Sequence, residues 1–185
     1  LAVVEWYISA TDGANTRTWP APARTSDIGV APETFGQVTN ALVQVDNGYN
    51  PATDFTVAGN QSIYRIIMTE AERAELAQIG SNGGDSDSDA QMNATFISFD
   101  GTGIKTRYRS GVRNRGNTTR VGRLGSNNYH VSFPNDSRWN GRSSIQINFN
   151  FPYSQALGAA LFTRAGIAPQ ECSVIQLRVN GVNRA

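Results

Sequence analysis

At 185 residues and 20.0 kDa the chain has the size of one domain, or of a domain with an appendage, and is long enough to bury a core. With 39% hydrophobic and 17% charged residues it is neither a disordered polyampholyte nor a fibre. A single cysteine, Cys172, excludes an intrachain disulfide and a multi-cysteine zinc site, and a single histidine, His130, excludes a histidine-rich metal site. The net charge of +1 favours no class of partner. The apolar stretches, such as 66–68 and 159–162, fall far short of the roughly eighteen residues that span a bilayer. The chain begins Leu-Ala-Val-Val without a basic and apolar leader, and so reads as a mature or excised piece of something longer.

Residues 3–10 (VVEWYISA) are rich in β-branched and aromatic side chains and predict a strand, ended by Asp12-Gly13. It is either the last strand of a preceding β-sandwich or an edge strand of the main sheet. Residues 14–60 carry Pro20, Pro22, Pro32 and Pro51 among many polar residues, with only 41–45 (ALVQV) regular, and predict a long connection over the surface. The run 63–68 (IYRIIM) predicts a buried strand. Thr69 then opens a helix running to about Ile79, in a capping box where Glu72 reaches back to the cap amide, with Gly80 as its stop. Residues 92–99 and 104–113 predict a hairpin around Asp100-Gly101-Thr102-Gly103, and 129–133 and 145–149 two more alternating strands. A second helix is predicted over 154–165, capped by Ser154 and stopped by Gly166, with Leu157 and Leu161 on one face. A last strand covers 174–179. The hairpin dipeptide Asn180-Gly181 follows it with only four residues to come, so the domain, read as α+β with a largely antiparallel twisted sheet and two helices, looks incomplete at its C-terminus.

Charge is separated along the chain. Lys105, Arg107, Arg109, Arg113, Arg115, Arg120 and Arg123 lie between Gly101 and Pro134 with no carboxylate among them. The preceding 69–100 carries seven carboxylates against Arg73 alone. Lys105, Arg107, Arg109, Arg113 and Arg115 are all odd-numbered, so on a regular strand they form one cationic face. Unpaired, such a face cannot be buried. It meets either water and the acidic stretch before it, or an anion that arginine grips in bidentate fashion. The loop that follows, Arg113 to Arg120 (RNRGNTTR), sets a glycine, amides and hydroxyls beside three guanidinium groups, a cradle for phosphate. It is not a Walker A loop, and no GxGxxG occurs.

The series IYRIIMTEAERAEL, TFISFDG, GVRNRGNTTR, NYHVSF, LFTRAGIAP and VIQLRVNG, in this order over about residues 61–185, resembles the amino-terminal half of the CotH-like kinases, atypical protein kinases of the spore-coat type. The family pattern VRxRGN[ST][ST] is matched by Val112, Arg113, Arg115, Gly116, Asn117, Thr118 and Thr119, and Ala165, Gly166, Pro169 and Asn180-Gly181 agree in position. The resemblance implies that 61–185 form a lobe related to a protein-kinase amino-terminal lobe, with 1–60 as an N-terminal strand and Pro-containing connection. It implies ATP and magnesium as cofactors and secreted or coat proteins as substrates of an exported protein. It places nucleotide phosphate on Lys105, Arg113, Arg115, Gly116, Asn117, Thr118, Thr119 and Arg120. The metal ligands and the base belong to the family's carboxy-terminal part, the remaining partner of this segment, which alone is expected to be inactive. Lysines usual in the family near Asn127 and Ser132 are absent, so the phosphate-holding cation is Lys105, Arg113 or Arg115.

The rival reading is a non-catalytic cell-surface adhesion or interaction module that keeps the fold, which the missing lysines favour. Nucleic-acid binding is disfavoured, because only Tyr108 accompanies the cations and alternation points it to the other face. Asp85, Asp87 and Asp89 have the opening spacing of a calcium loop, but Ala90 and Phe96 stand where glycine and glutamate belong. His130 alternates away from the apolar set Tyr129, Val131 and Phe133, and no GxSxG surrounds any serine, so a hydrolase is disfavoured. Cys172 reads as a small half-buried residue.

Overall fold

The structure, a computed structural model, describes residues 2–20, 23–24, 35–36, 40–50, 52, 54, 61–79, 88–100, 103–116, 128–149 and 151–184. It is an α+β fold. In chain order the elements are β1 (Ala2–Trp6), β2 (Ile8–Thr11), β3 (Thr16–Trp19), β4 (Ala23–Arg24), β5 (Phe35–Gly36), β6 (Ala41–Val45), β7 (Ile63–Ile67), α1 (Glu70–Gln78), β8 (Met92–Phe99), β9 (Ile104–Arg115), β10 (Asn128–Ser132), β11 (Ser144–Ile147), α2 (Pro152–Arg164), β12 (Gln176–Val179) and β13 (Val182–Asn183). Seven strands form one sheet in the order β11-β10-β9-β8-β7-β12-β13, antiparallel throughout except where β12 runs parallel to β7. The order wraps a core of Tyr64, Ile66, Phe96, Val112, Val131 and Leu177, all nearly inaccessible, which Leu76 and Ile79 of the α1 segment help to close. Phe96 lies edge-on to both Tyr64 and Phe133, with ring centroids 5.4 and 5.1 Å away. No helix among the described residues is long and apolar enough to cross a membrane.

The N-terminal residues do not join the main sheet as an edge strand, and the predicted connection contains the strands β3, β4 and β5 besides β6. Tyr7 breaks the predicted strand in two: β1 pairs with β6, and β2 with β3 in a hairpin, both outside the seven-stranded sheet. Strand β6 covers the sheet face away from the core, where Thr95 Oγ1 donates to the Leu42 carbonyl at 2.7 Å and Asn93 Nδ2 to that of Asn40 at 2.9 Å.

Helix α1 starts at Glu70 as predicted, and Thr69 Oγ1 accepts the Glu72 amide at 3.2 Å. The reciprocal half of the capping box is not made. The Glu72 carboxylate turns instead to β8 and accepts the Asn93 amide at 3.0 Å, stitching helix to sheet. Asn180, at the turn with positive φ at both Asn180 and Gly181, docks on the same junction. Its side chain accepts from the Met68 amide and donates to the Met68 carbonyl, each at 3.0 Å. Helix α2 begins two residues before the predicted Ser154. Pro152 occupies its first position, where a fixed φ and a missing amide cost nothing, and Phe151 takes the left-handed conformation ahead of it.

The largest departure lies in β9. Opposite Ala94 to Phe96 of β8 stand Ser110 to Arg107, one residue too many, and the surplus is absorbed by Arg109 in the left-handed region with φ 58°. The bulge inverts the strand's parity. Arg107 therefore joins Ser110, Val112 and Asn114 on the core face, while Arg113 and Arg115 remain on the other. The single cationic face expected from odd numbering does not exist.

Candidate functional site

Each predicted site residue can be followed from this geometry. The Arg107 side chain is 2% exposed but fully partnered: Nη2 donates to Asp100 Oδ2 at 2.7 Å, Nη1 to Ser98 Oγ at 3.0 Å and Nε to the Arg138 carbonyl at 3.3 Å, with the guanidinium over the Phe133 ring. Lys105 shares its face and reaches the same Asp100 at 3.7 Å. Arg113 pairs with Asp89 at 2.8 Å, and Arg115 donates to Asn148 Oδ1 at 2.6 Å. Gly116 is exposed with φ 103°. Asn117, Thr118, Thr119 and Arg120, like Asp85 and Asp87, lie outside the described residues. The structure thus brings Arg113, Arg115 and Gly116 together and leaves Lys105 apart, on the opposite face and on the order of 30 Å down the strand. Tyr108, expected opposite the cations, has the parity of Arg113 and Arg115, but its ring is engaged edge-on with Trp6 and Trp19 at 5.3 and 5.9 Å.

Register extends the arginine pair into a polar surface. Arg113 stands opposite His130 and His130 opposite Gln146, while Arg115 stands opposite Asn128. From there Asn148 links Arg115 to α2, its Nδ2 donating to Gln155 Oε1 at 2.7 Å. Arg115, Gln146, Asn148, Gln155 and Phe162 line a cavity of about 370 Å³ between the end of β11 and α2, with Cys172 at its wall. Cys172 is exposed, not half-buried, because the segment carrying it forms the cavity rim instead of entering the core. Sequence reasoning missed the amide residues of this cavity. The one signal available was Gln146 and Asn148 at a spacing of two, which puts both on one face of a strand beside the arginines.

Chemically, the cavity offers one guanidinium and several amide donors, a set suited to phosphate oxygens. Among the described residues no three metal-ligating side chains come together. The nearby carboxylate of Glu171 is engaged by Arg142, so these residues fit phosphate and do not by themselves fit magnesium.

Burial, and then the guanidinium charges of Arg113 and Arg115, hold the His130 imidazole below its ordinary value near 6.5. The unfolded chain therefore binds the proton first as pH falls below about 6.5, and stability drops with it. In urea titrations at pH 7.5 and 5.5, His130→Gln is expected to lose less stability on acidification than the unaltered protein. Equal losses would mean that His130 carries none of the dependence.

No family model matches the chain, no curated protein matches it, and no solved structure does.

Proposed function

We propose that the chain is the nucleotide-binding lobe of an exported, CotH-like atypical protein kinase that uses ATP with magnesium to phosphorylate secreted or coat proteins. The observation that carries this reading is the position of Arg115: the second arginine of the Val112-Arg113-Asn114-Arg115-Gly116 run is half-buried and lines a cavity with amide donors around it. At the level of architecture, a largely antiparallel sheet with one helix packed on its core face supports it. Lys105 no longer serves as the phosphate-holding cation in this reading, and Arg115 takes that role with Arg113 beside it.

Replacing Arg115 with alanine removes a charge-assisted contact of roughly 1.5–3 kcal/mol, so affinity for ATP with magnesium is expected to fall at least about tenfold in calorimetry. Lys105→Ala tests diffuse attraction. It is expected mainly to alter the salt dependence of binding, and equal losses from the two changes would overturn a localised site.

A second reading, a non-catalytic cell-surface interaction module, is favoured by α2. None of its residues is buried, and Tyr153, Leu157 and Leu161, spaced by four along one stripe, are exposed at 72, 63 and 57%. Absence of any ATP binding by the folded protein would select it.

A further inference from the structure

Among the described residues nothing pairs with the outer edge of β11, one of the two terminal strands of the sheet. The Phe133 amide bonded to the Ser143 carbonyl sets the phase of its pairing with β10: Ser143, Ile145 and Ile147 face β10 through their backbones. The amides and carbonyls of Ser144 and Gln146 point the other way, to the free edge. There the strand borders a cleft of about 470 Å³ closed on its far side by residues 170–177, which the curl of the sheet carries toward β11. Consecutive residues from Ser144 to Asn148 line this cleft. Side chains on one face of a strand would contribute alternate residues only, so it is the strand's edge that borders the space.

Its chemistry narrows what fits. Tyr64 and Trp139, with ring centroids 6.0 Å apart, form an aromatic wall on the core side. Gln61, Gln146 and Gln170 make no side-chain hydrogen bond among the described residues, leaving carbonyl acceptors and amide donors for an incoming group. The ionised pair, Arg142 and Glu171, is bonded to itself and leaves no net charge to match. A purely apolar ligand would strand the edge groups and the amides, and a charged one would find no counter-ion.

We infer that the free edge of β11 accepts an extended, uncharged peptide segment of a partner protein as an added strand, with an apolar side chain set against Tyr64 and Trp139. Backbone pairing with Ser144 and Gln146 gives the affinity, and the aromatic wall selects the side chain. This inference uses the backbone edge of β11 and the aromatic wall and not Arg115, while the two cavities share Gln146, Asn148 and Gln155 in their walls.

The test uses fluorescein-labelled seven-residue peptides of alternating threonine and valine with phenylalanine, leucine or valine at the centre, followed by anisotropy. At least one is expected to bind saturably by about 1 mM. N-methylation of the backbone amides on one edge of that peptide is expected to weaken binding at least about tenfold, because only the ladder is removed. Ser144→Pro is expected to do the same from the protein side. That amide lies outside the β10 ladder, and proline is tolerated on an edge. Circular dichroism checks that the variant folds, and the N-methylated peptide needs no variant at all. Absence of binding by every peptide, undiminished binding after N-methylation of either edge, or binding of cellotriose in place of the peptides would each overturn the inference. ATP titrated in parallel keeps the two readings separate, because Ser144→Pro, at a residue that lines the peptide cleft and not the Arg115 cavity, is directed at peptide affinity and Arg115→Ala at nucleotide affinity.

Discussion

Replacing Asp100 with alanine is expected to lower the free energy of unfolding by about 3–5 kcal/mol, the cost of leaving a buried charge without its partner. The Asp100 side chain is 4% exposed and Arg107 2%, so neither is rescued by water. In the variant the guanidinium would keep Ser98, the Arg138 carbonyl and the Phe133 ring, all neutral or weakly polar, and would lose its counter-charge. Urea denaturation gives the number. The double replacement Asp100→Leu with Arg107→Met is expected to recover most of the loss, since removing both charges removes the desolvation penalty with the attraction. A loss below about 1 kcal/mol for Asp100→Ala would show that the pair behaves as an exposed one.

Asn114→Leu is expected to be the next most damaging change. Asn114 is 1% exposed, and its Nδ2 donates to the Leu76 carbonyl at 2.7 Å and the Ile79 carbonyl at 3.0 Å, tying the C-terminal end of α1 to β9. These are carbonyls that a helix end leaves without intrahelical partners, and leucine fills the same space without a donor. Each buried carbonyl left unpaired costs roughly 1–3 kcal/mol, so the two together exceed what a surface change does. Hydrogen exchange would localise the effect: amides of the last turn of α1 are expected to lose protection before those of β8. Uniform loss of protection across the sheet would mean that Asn114 acts on the core and not on the helix end.

Much of this architecture was legible in local residues. The near-continuous apolar run of β7, the threonine cap of α1, the alternation of β8 and β10 and the Asn180-Gly181 turn each carry their cause within a few positions, through period-two patterning, a side-chain cap or a left-handed turn. The order of strands in the hairpin region followed from their spacing. The N-terminal strand was legible only as a strand, because its partner β6 lies 35 residues or more away in the chain and pairing at that separation leaves no local mark.

The candidate site divides along the same line. Composition placed arginines in one segment and the VRNRG run set two of them beside a glycine, both properties of neighbouring residues. Which face each cation occupies was decided by the bulge at Arg109, a mismatch in pairing length between β8 and β9 that period-two reasoning along one strand has no means of registering. That single extra residue sends Arg107 into the core beside Asp100 and leaves Arg113 and Arg115 outside. Glu72, matched to a capping box by spacing, accepts the Asn93 amide of a neighbouring strand instead, a partner that only packing of α1 on β8 supplies. Asn148 and Gln155, the partners that put Arg115 at a cavity wall, and the open edge of β11 exist only once distant segments are packed. Sequence by itself determined the element types from β7 to β12, the charge segregation and the arginine run, since these depend on side chains a few residues apart. Tertiary structure alone decided parity, pairing partners and the cleft, since these depend on which backbone groups remain unsatisfied after the sheet has formed.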